Sequence, residues 1–169
     1  MNPDRTLNGK ALNEMERNIL RIFLKVRENF DEVKSKVSLV RPYLELMVIS
    51  TAWALKIEEF EKVLGFKPEF LYKGEEETYA IAALYRVDDD FTTGAVAYEF
   101  AEIMGKEKGI TDPESIDSIC VEKTFGEELL YMLENDILSG TQERDFLSCQ
   151  NLEKRAESLK KLLERKNQK

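Results

Sequence analysis

Apolar positions recur with a seven-residue spacing near the start of the chain. Leu12, Ile19, Val26 and Val33 mark one line, Met15 and Ile22 fill the companion positions, and Phe23, Phe30 and Val37 widen the stripe. That spacing predicts a long amphipathic helix over about 10–37. A stripe this broad favours packing within the helix's own domain, with dimerisation through a two-stranded coiled coil as the competing reading. Residues 1–9 are polar, contain Pro3 and Gly9, and are expected to fray, as are 167–169. Pro42 suits the first turn of a second helix. Tyr43, Leu44, Met47, Val48, Thr51, Ala52 and Leu55 follow at helical spacing, with Trp53 off the stripe and free to contact another element. Ile57, Phe60, Val63 and Leu64 predict a third helix over 57–64, stopped by Gly65.

The pattern then changes. Thr78–Val87 is rich in β-branched and aromatic residues and reads as a strand, its three alanines leaving a helix as the alternative. Phe70–Tyr72 is expected to pair with it as a hairpin arm across the Lys73–Glu77 turn. Asp90 or Thr92 is placed to cap a helix over about 92–105. Asp112-Pro113-Glu114 predicts the start of a helix over 113–122, with Ile116, Ile119 and Cys120 inward. Thr124 and Glu127 read as a capping box for a helix over 125–138, with Leu129, Leu130, Leu133 and Ile137 on its core side. A last helix is expected over 142–166, with Phe146, Leu152, Ala156, Leu159, Leu162 and Leu163 apolar. The reading is one α+β domain spanning 1–169, mostly helical, with a small sheet near 70–87.

Length and composition suit one globular domain with a sizeable core: 169 residues, 43% hydrophobic and 34% charged. A net charge of −8 argues against general nucleic-acid binding, which needs a basic footprint. The charge is uneven, since residues 153–169 carry a net +4 and the remainder −12. Interleaved glutamates make that basic end a solvated helix face before an anion-binding surface. Cys120 and Cys149 are too few for a disulfide framework and form no Cys-x-x-Cys pair. The N-terminus lacks the apolar run of a signal peptide, and Leu46–Leu55 is too short to span a bilayer. A cytoplasmic protein without membrane association is expected.

Candidate chemistry concentrates in Gly94-Ala95-Val96-Ala97-Tyr98-Glu99-Phe100-Ala101-Glu102-Ile103-Met104. On a helical wheel Val96, Ala97, Phe100, Ala101, Ile103 and Met104 share one side, while Ala95, Tyr98, Glu99 and Glu102 share the other. The polar side faces either solvent or a cleft. This stretch resembles the motif helix of zincin-type metallopeptidases, whose His-Glu-x-x-His signature holds zinc between two histidines with the glutamate as general base. Tyr98 and Glu102 stand where the histidines would, and Glu99 keeps the glutamate. The order of long helix, strand and motif helix is also similar to that group. Downstream, Ser118–Leu130 looks like the helix where many such proteins place a third ligand, and Glu122 is the matching position.

The departures bear on mechanism. The chain contains no histidine, so neither a His-based zinc site nor a Ser-His or Cys-His nucleophile pair is available. Tyr98, with an ordinary pKa near 10, is a poor ligand while protonated. Without zinc there is no bound water of lowered pKa for Glu99 to deprotonate. The resemblance thus implies a non-catalytic relative acting in protein–protein interaction or scaffolding, with no cofactor or metal and with another protein, or a second copy of itself, as partner. The remnant cleft is Tyr98, Glu99, Glu102 and Glu122. The alternative is a Mg²⁺- or Mn²⁺-dependent hydrolase using Asp88, Asp89, Asp90, Glu99, Glu102 and Glu122, because these ions accept oxygen ligands. No phosphate loop or dinucleotide fingerprint is present.

Overall fold

The computed structural model describes residues 12–42, 52–138 and 146–167, with the side chains of 136–138 and 146–152 outside that set. These residues form an α+β fold, mostly helical, around a four-stranded mixed sheet. Helix α1 (Glu14–Arg27) opens it. Asn13 caps α1 through its side chain, which accepts from the Glu16 amide at 2.8 Å, while the Glu16 carboxyl accepts from the Asn13 amide at 3.0 Å. Ile19, Leu20, Ile22, Phe23 and Val26 are all buried in the core, so the stripe read from the sequence is covered by the rest of the fold.

The helix is half the predicted length. After Arg27 the chain turns, passes through a short 3-10 segment at Lys34–Lys36 and enters strand β1 (Val37–Val40). The seven-residue spacing carries on through this change of element, because Val33 and Val37 are buried on arrival in a turn and a strand. β1 is buried at every position, so it shows none of the alternation that marks a half-exposed strand. The predicted second helix also fails where it can be checked: Ala52–Lys56 is strand β2, and 43–51 lie outside the described residues. Helix α2 (Ile57–Leu64) forms as expected, and Gly65 ends it with φ 79°, a conformation only glycine adopts freely.

Strands β3 (Phe70–Tyr72) and β4 (Tyr79–Ala83) do not form the expected hairpin. The strand order is β2-β4-β1-β3, with β4 parallel to β1 and antiparallel to β2, and β3 antiparallel to β1. β1 therefore lies between the two segments that the short turn appeared to join. Gly74 marks the crossing point: a Cβ there would come within 2.8 Å of the Val37 carbonyl oxygen. β4 is buried on both faces, with Ile81 toward the main core and Ala80 and Ala82 toward a smaller cluster under α2 that includes Val40 and Phe60. Trp53 packs against that smaller cluster.

Helix α3 (Asp89–Lys108) is the axis of the fold, packed by α1, β2, β4, α4 (Pro113–Glu122) and α5 (Gly126–Leu138). Phe100 stacks on Phe30 at 5.2 Å and meets Phe23 at 5.3 Å, tying α3 to α1 and the segment after it. Gly94 sits where α5 crosses: a Cβ there would lie 2.3 Å from the Glu128 carbonyl oxygen. α4 begins as predicted, with the Asp112 side chain accepting from the Ser115 amide. α5 starts after Phe125, whose carbonyl accepts from the Leu129 amide, while Thr124 takes φ 74° instead of capping it. Helix α6 (Phe146–Asn167) lies against α4 and α5, with Ala156 and Leu159 buried. It includes Asn167, which the sequence reading assigned to a frayed end; the expected fraying of 1–9 falls outside the described residues. Among the described residues no helix is long and apolar enough to cross a membrane.

Candidate functional site

The loop entering α3 fixes how that helix presents its side chains. Asp88, not Asp90 or Thr92, is the cap: its carboxylate accepts from the Phe91 amide at 2.9 Å and from the Tyr131 hydroxyl at 2.6 Å. Thr92 instead clamps Arg86, donating to its carbonyl at 3.0 Å and accepting from its amide at 3.1 Å. Between them Val87 is held at φ 64°, an unusual conformation for a β-branched residue. Asp89 binds the Arg21 guanidinium through both oxygens and accepts from the Tyr85 hydroxyl; the bonds to Arg21 first, then Tyr85, pull its carboxyl down to about 2. Asp88 thus caps the helix start and Asp89 braces it, while Asp90 lies exposed in its first turn.

Further along α3 the expected amphipathic split is absent. Phe91 to Ala97, Glu99 to Ala101 and Ile103 to Gly105 are buried, leaving Tyr98 and Glu102 half-buried. On the side carrying Tyr98, Glu99 and Glu102, Glu99 is thus closed off while the other two stay partly exposed. Arg155 of α6 lies over Tyr98, its guanidinium carbon 4.8 Å from the centre of the ring. Asp117 of α4 holds that guanidinium by two hydrogen bonds, from Nη2 at 2.9 Å and Nε at 3.3 Å. Burial works to lower the Arg155 pKa, but the hydrogen bond and charge of Asp117 outweigh it and the value ends up raised. Burial likewise raises the Asp117 carboxyl against the pull of Arg155. Beside this pair, α4 and α6 enclose a cleft of about 400 Å³ lined by Pro113, Glu114, Asp117, Lys154, Arg155 and Ser158.

Glu99 is 8% exposed. Burial, reinforced by the charge of Glu102, raises its pKa well above the ordinary 4.5. Burial also raises Glu102, against the attraction of Lys106 and Arg155. Tyr98 is pushed up to about 12, again by burial first. Burial thus favours the neutral form of all three groups.

Glu122, the fourth expected member, is exposed at the end of α4 and is not among the charges acting on Tyr98, Glu99 or Glu102. Asp88, Asp89 and Asp90 belong to the helix start. Among the described residues no group of three or more His, Cys, Asp or Glu is placed to hold a metal ion. The structure brings together Tyr98, Glu99 and Glu102, leaves Glu122 apart, and adds Asp117 and Arg155. The sequence reading treated Arg155 as one charge of a basic tail, and nothing in its spacing marked it as a partner of α3. Cys120 is buried, and burial raises its thiol further, which fits an inert core residue. Comparison with known proteins finds no match to this chain among family models, curated proteins or solved structures.

Proposed function

We propose that this is a non-catalytic domain that works by binding another protein, and that α3 keeps the frame of a zincin-type motif helix without its chemistry. The observation carrying this reading is the burial of Glu99. A general base must meet water or substrate while ionised. Glu99 is instead buried, and that burial favours its neutral form. The donor set points the same way. Two glutamates and a phenol that stays protonated make neither the three-ligand zinc site that activates water nor the larger oxygen shell of Mg²⁺ or Mn²⁺. The buried, unactivated Cys120 thiol suits a reducing, cytoplasmic compartment. The covered stripe of α1 leaves the surface around α3, α4 and α6 as a better candidate for partner contact than a coiled coil along α1.

The test is hydrolysis of unfolded protein and of a mixed peptide library with added Zn²⁺, Mn²⁺ or Mg²⁺. The expected result is no metal-dependent cleavage above background, in wild type and Glu99→Gln alike. Cleavage by wild type that Glu99→Gln abolishes overturns the proposal.

A further inference from the structure

The cleft between α4 and α6 has walls of opposite charge. α4 contributes two carboxyl side chains, Glu114 and Asp117, and α6 contributes two cations, Lys154 and Arg155, with the Ser158 hydroxyl. Its volume of about 400 Å³ falls among small-molecule sites, which run from about 300 to 1,000 Å³. One wall of this space is already fixed. Arg155 donates from Nη2 to Asp117 Oδ1 at 2.9 Å and from Nε to Oδ2 at 3.3 Å, and its guanidinium carbon lies 4.8 Å from the centre of the Tyr98 ring. These contacts set the plane of the guanidinium. Asp117 engages its Nε–Nη2 edge, and the end carrying the Nη1 donors belongs to a side chain that lines the cleft. A buried pair adds little stability over well-packed apolar residues of the same volume, so charge placed beside a cleft asks for a use of its own. Glu114 and Lys154 are exposed and can adjust to an entering group.

We infer that this cleft binds a small zwitterion of the α-amino-acid type. Its carboxylate is held by Arg155, Lys154 and Ser158 on the α6 wall. Its ammonium is held by Glu114 on the α4 wall, with the charge of Asp117 behind it. The inference goes beyond the partner-binding role proposed above and does not rest on it. The charges of the lining cancel, so a ligand of one sign gains attraction from one wall and meets repulsion from the other. A ligand carrying both signs a short distance apart gains from both walls. The hydrogen-bonding chemistry agrees. A carboxylate only accepts, and a guanidinium, an ammonium and a hydroxyl all offer it donors. An ammonium only donates, and carboxylates accept. The reverse orientation sets donor against donor and acceptor against acceptor. A divalent metal is a poorer fit, because the acids come from one wall alone and cations line the other.

The experiment titrates the full chain at neutral pH with the L-amino acids of uncharged side chain, one at a time, following backbone amide signals by NMR. The best binder is then compared with its N-acetyl derivative, which keeps only the carboxylate, and its α-amide, which keeps only the ammonium. At least one amino acid is expected to shift the amides of Ser115–Ser118 and Arg155–Ser158 saturably. Each derivative is expected to bind about tenfold more weakly or worse, the loss of one hydrogen bond to a charged group. Glu114→Gln and Lys154→Met, both at exposed positions, are each expected to weaken binding by about the same factor with the melting temperature unchanged. The absence of a saturable shift with every amino acid overturns the inference. So does equal binding by either derivative, which marks a site for one charge alone, and so does affinity that neither substitution alters.

Discussion

Glu99 is the residue on which chemistry and stability meet. An unfolded glutamate releases its proton near the ordinary value of 4.5, whereas burial makes folded Glu99 hold it to higher pH. Between those two values the unfolded chain binds fewer protons, so this contribution to stability is complete below 4.5 and is lost as pH rises through the folded value. Glu99→Gln keeps the shape and removes the titration. Thermal melts of the variant and wild type are expected to coincide near pH 4, with the variant melting higher at pH 8; a variant that melts lower at pH 8 contradicts a neutral Glu99. Arg155 acts in the opposite sense. Arg155→Ala leaves the Asp117 carboxyl, 3% exposed, without its partner. Removing one member of a buried pair costs about 3–5 kcal/mol, and the partial exposure of Arg155 sets the expectation at the lower end. Urea unfolding at neutral pH checks it, and a loss under about 1 kcal/mol would show that the pair adds little.

At the scale of elements, what the sequence disclosed was burial more than conformation. Leu12, Ile19, Val26 and Val33 are buried as their spacing predicts, yet they span a helix and the turn beyond it. Period alone cannot register that Val37–Val40 is a strand covered on both faces. The hairpin failed for a different reason: β3 and β4 are near in sequence, but pairing with β1 separates them, and that is a long-range preference no turn signal encodes. Helix starts marked by local chemistry were legible, as at Asp112-Pro113, because a cap acts within a few residues. The α3–α5 crossing carries its own test. Gly94→Ala puts a methyl carbon 2.3 Å from the Glu128 carbonyl oxygen, so backbone must move. The expected loss is about 3 kcal/mol, the upper part of the range for overpacked cores, measured by urea unfolding. Thr92→Val removes both hydrogen bonds between the Thr92 hydroxyl and the Arg86 backbone and is expected to cost about 1–3 kcal/mol, with faster amide exchange at Arg86 and Val87.

At the scale of the molecule, α3 is packed by helices and sheet, and this packing buries Glu99 while leaving Tyr98 and Glu102 half-buried. The sequence placed Tyr98, Glu99 and Glu102 together, since residues one turn apart on a helix must be neighbours. It gave no sign that α6 would bring Arg155 onto them, or that α4 would deliver Asp117 and leave Glu122 exposed, because each depends on how separate helices pack. This packing also shapes the response of the whole fold to pH. Asp89, at about 2, contributes stability above its ordinary 3.8 that fades as pH falls toward 2, though its exposure limits this to about 1 kcal/mol or less. Glu99, Glu102 and Asp117 are raised, so their contributions fade in the other direction, as pH climbs above the ordinary carboxyl range. Melting temperature is accordingly expected to peak on the acidic side of neutrality and decline toward pH 8, a profile that a pH series of thermal melts records directly. The most direct test of the central claim, that α3 holds a structural and binding face without a catalytic centre, is metal content by mass spectrometry. The protein is purified without affinity tag or chelator, then soaked in Zn²⁺ and Mn²⁺ and desalted. The account predicts no stoichiometric metal before or after soaking; one divalent ion per chain, lost in Glu99→Gln, would contradict it.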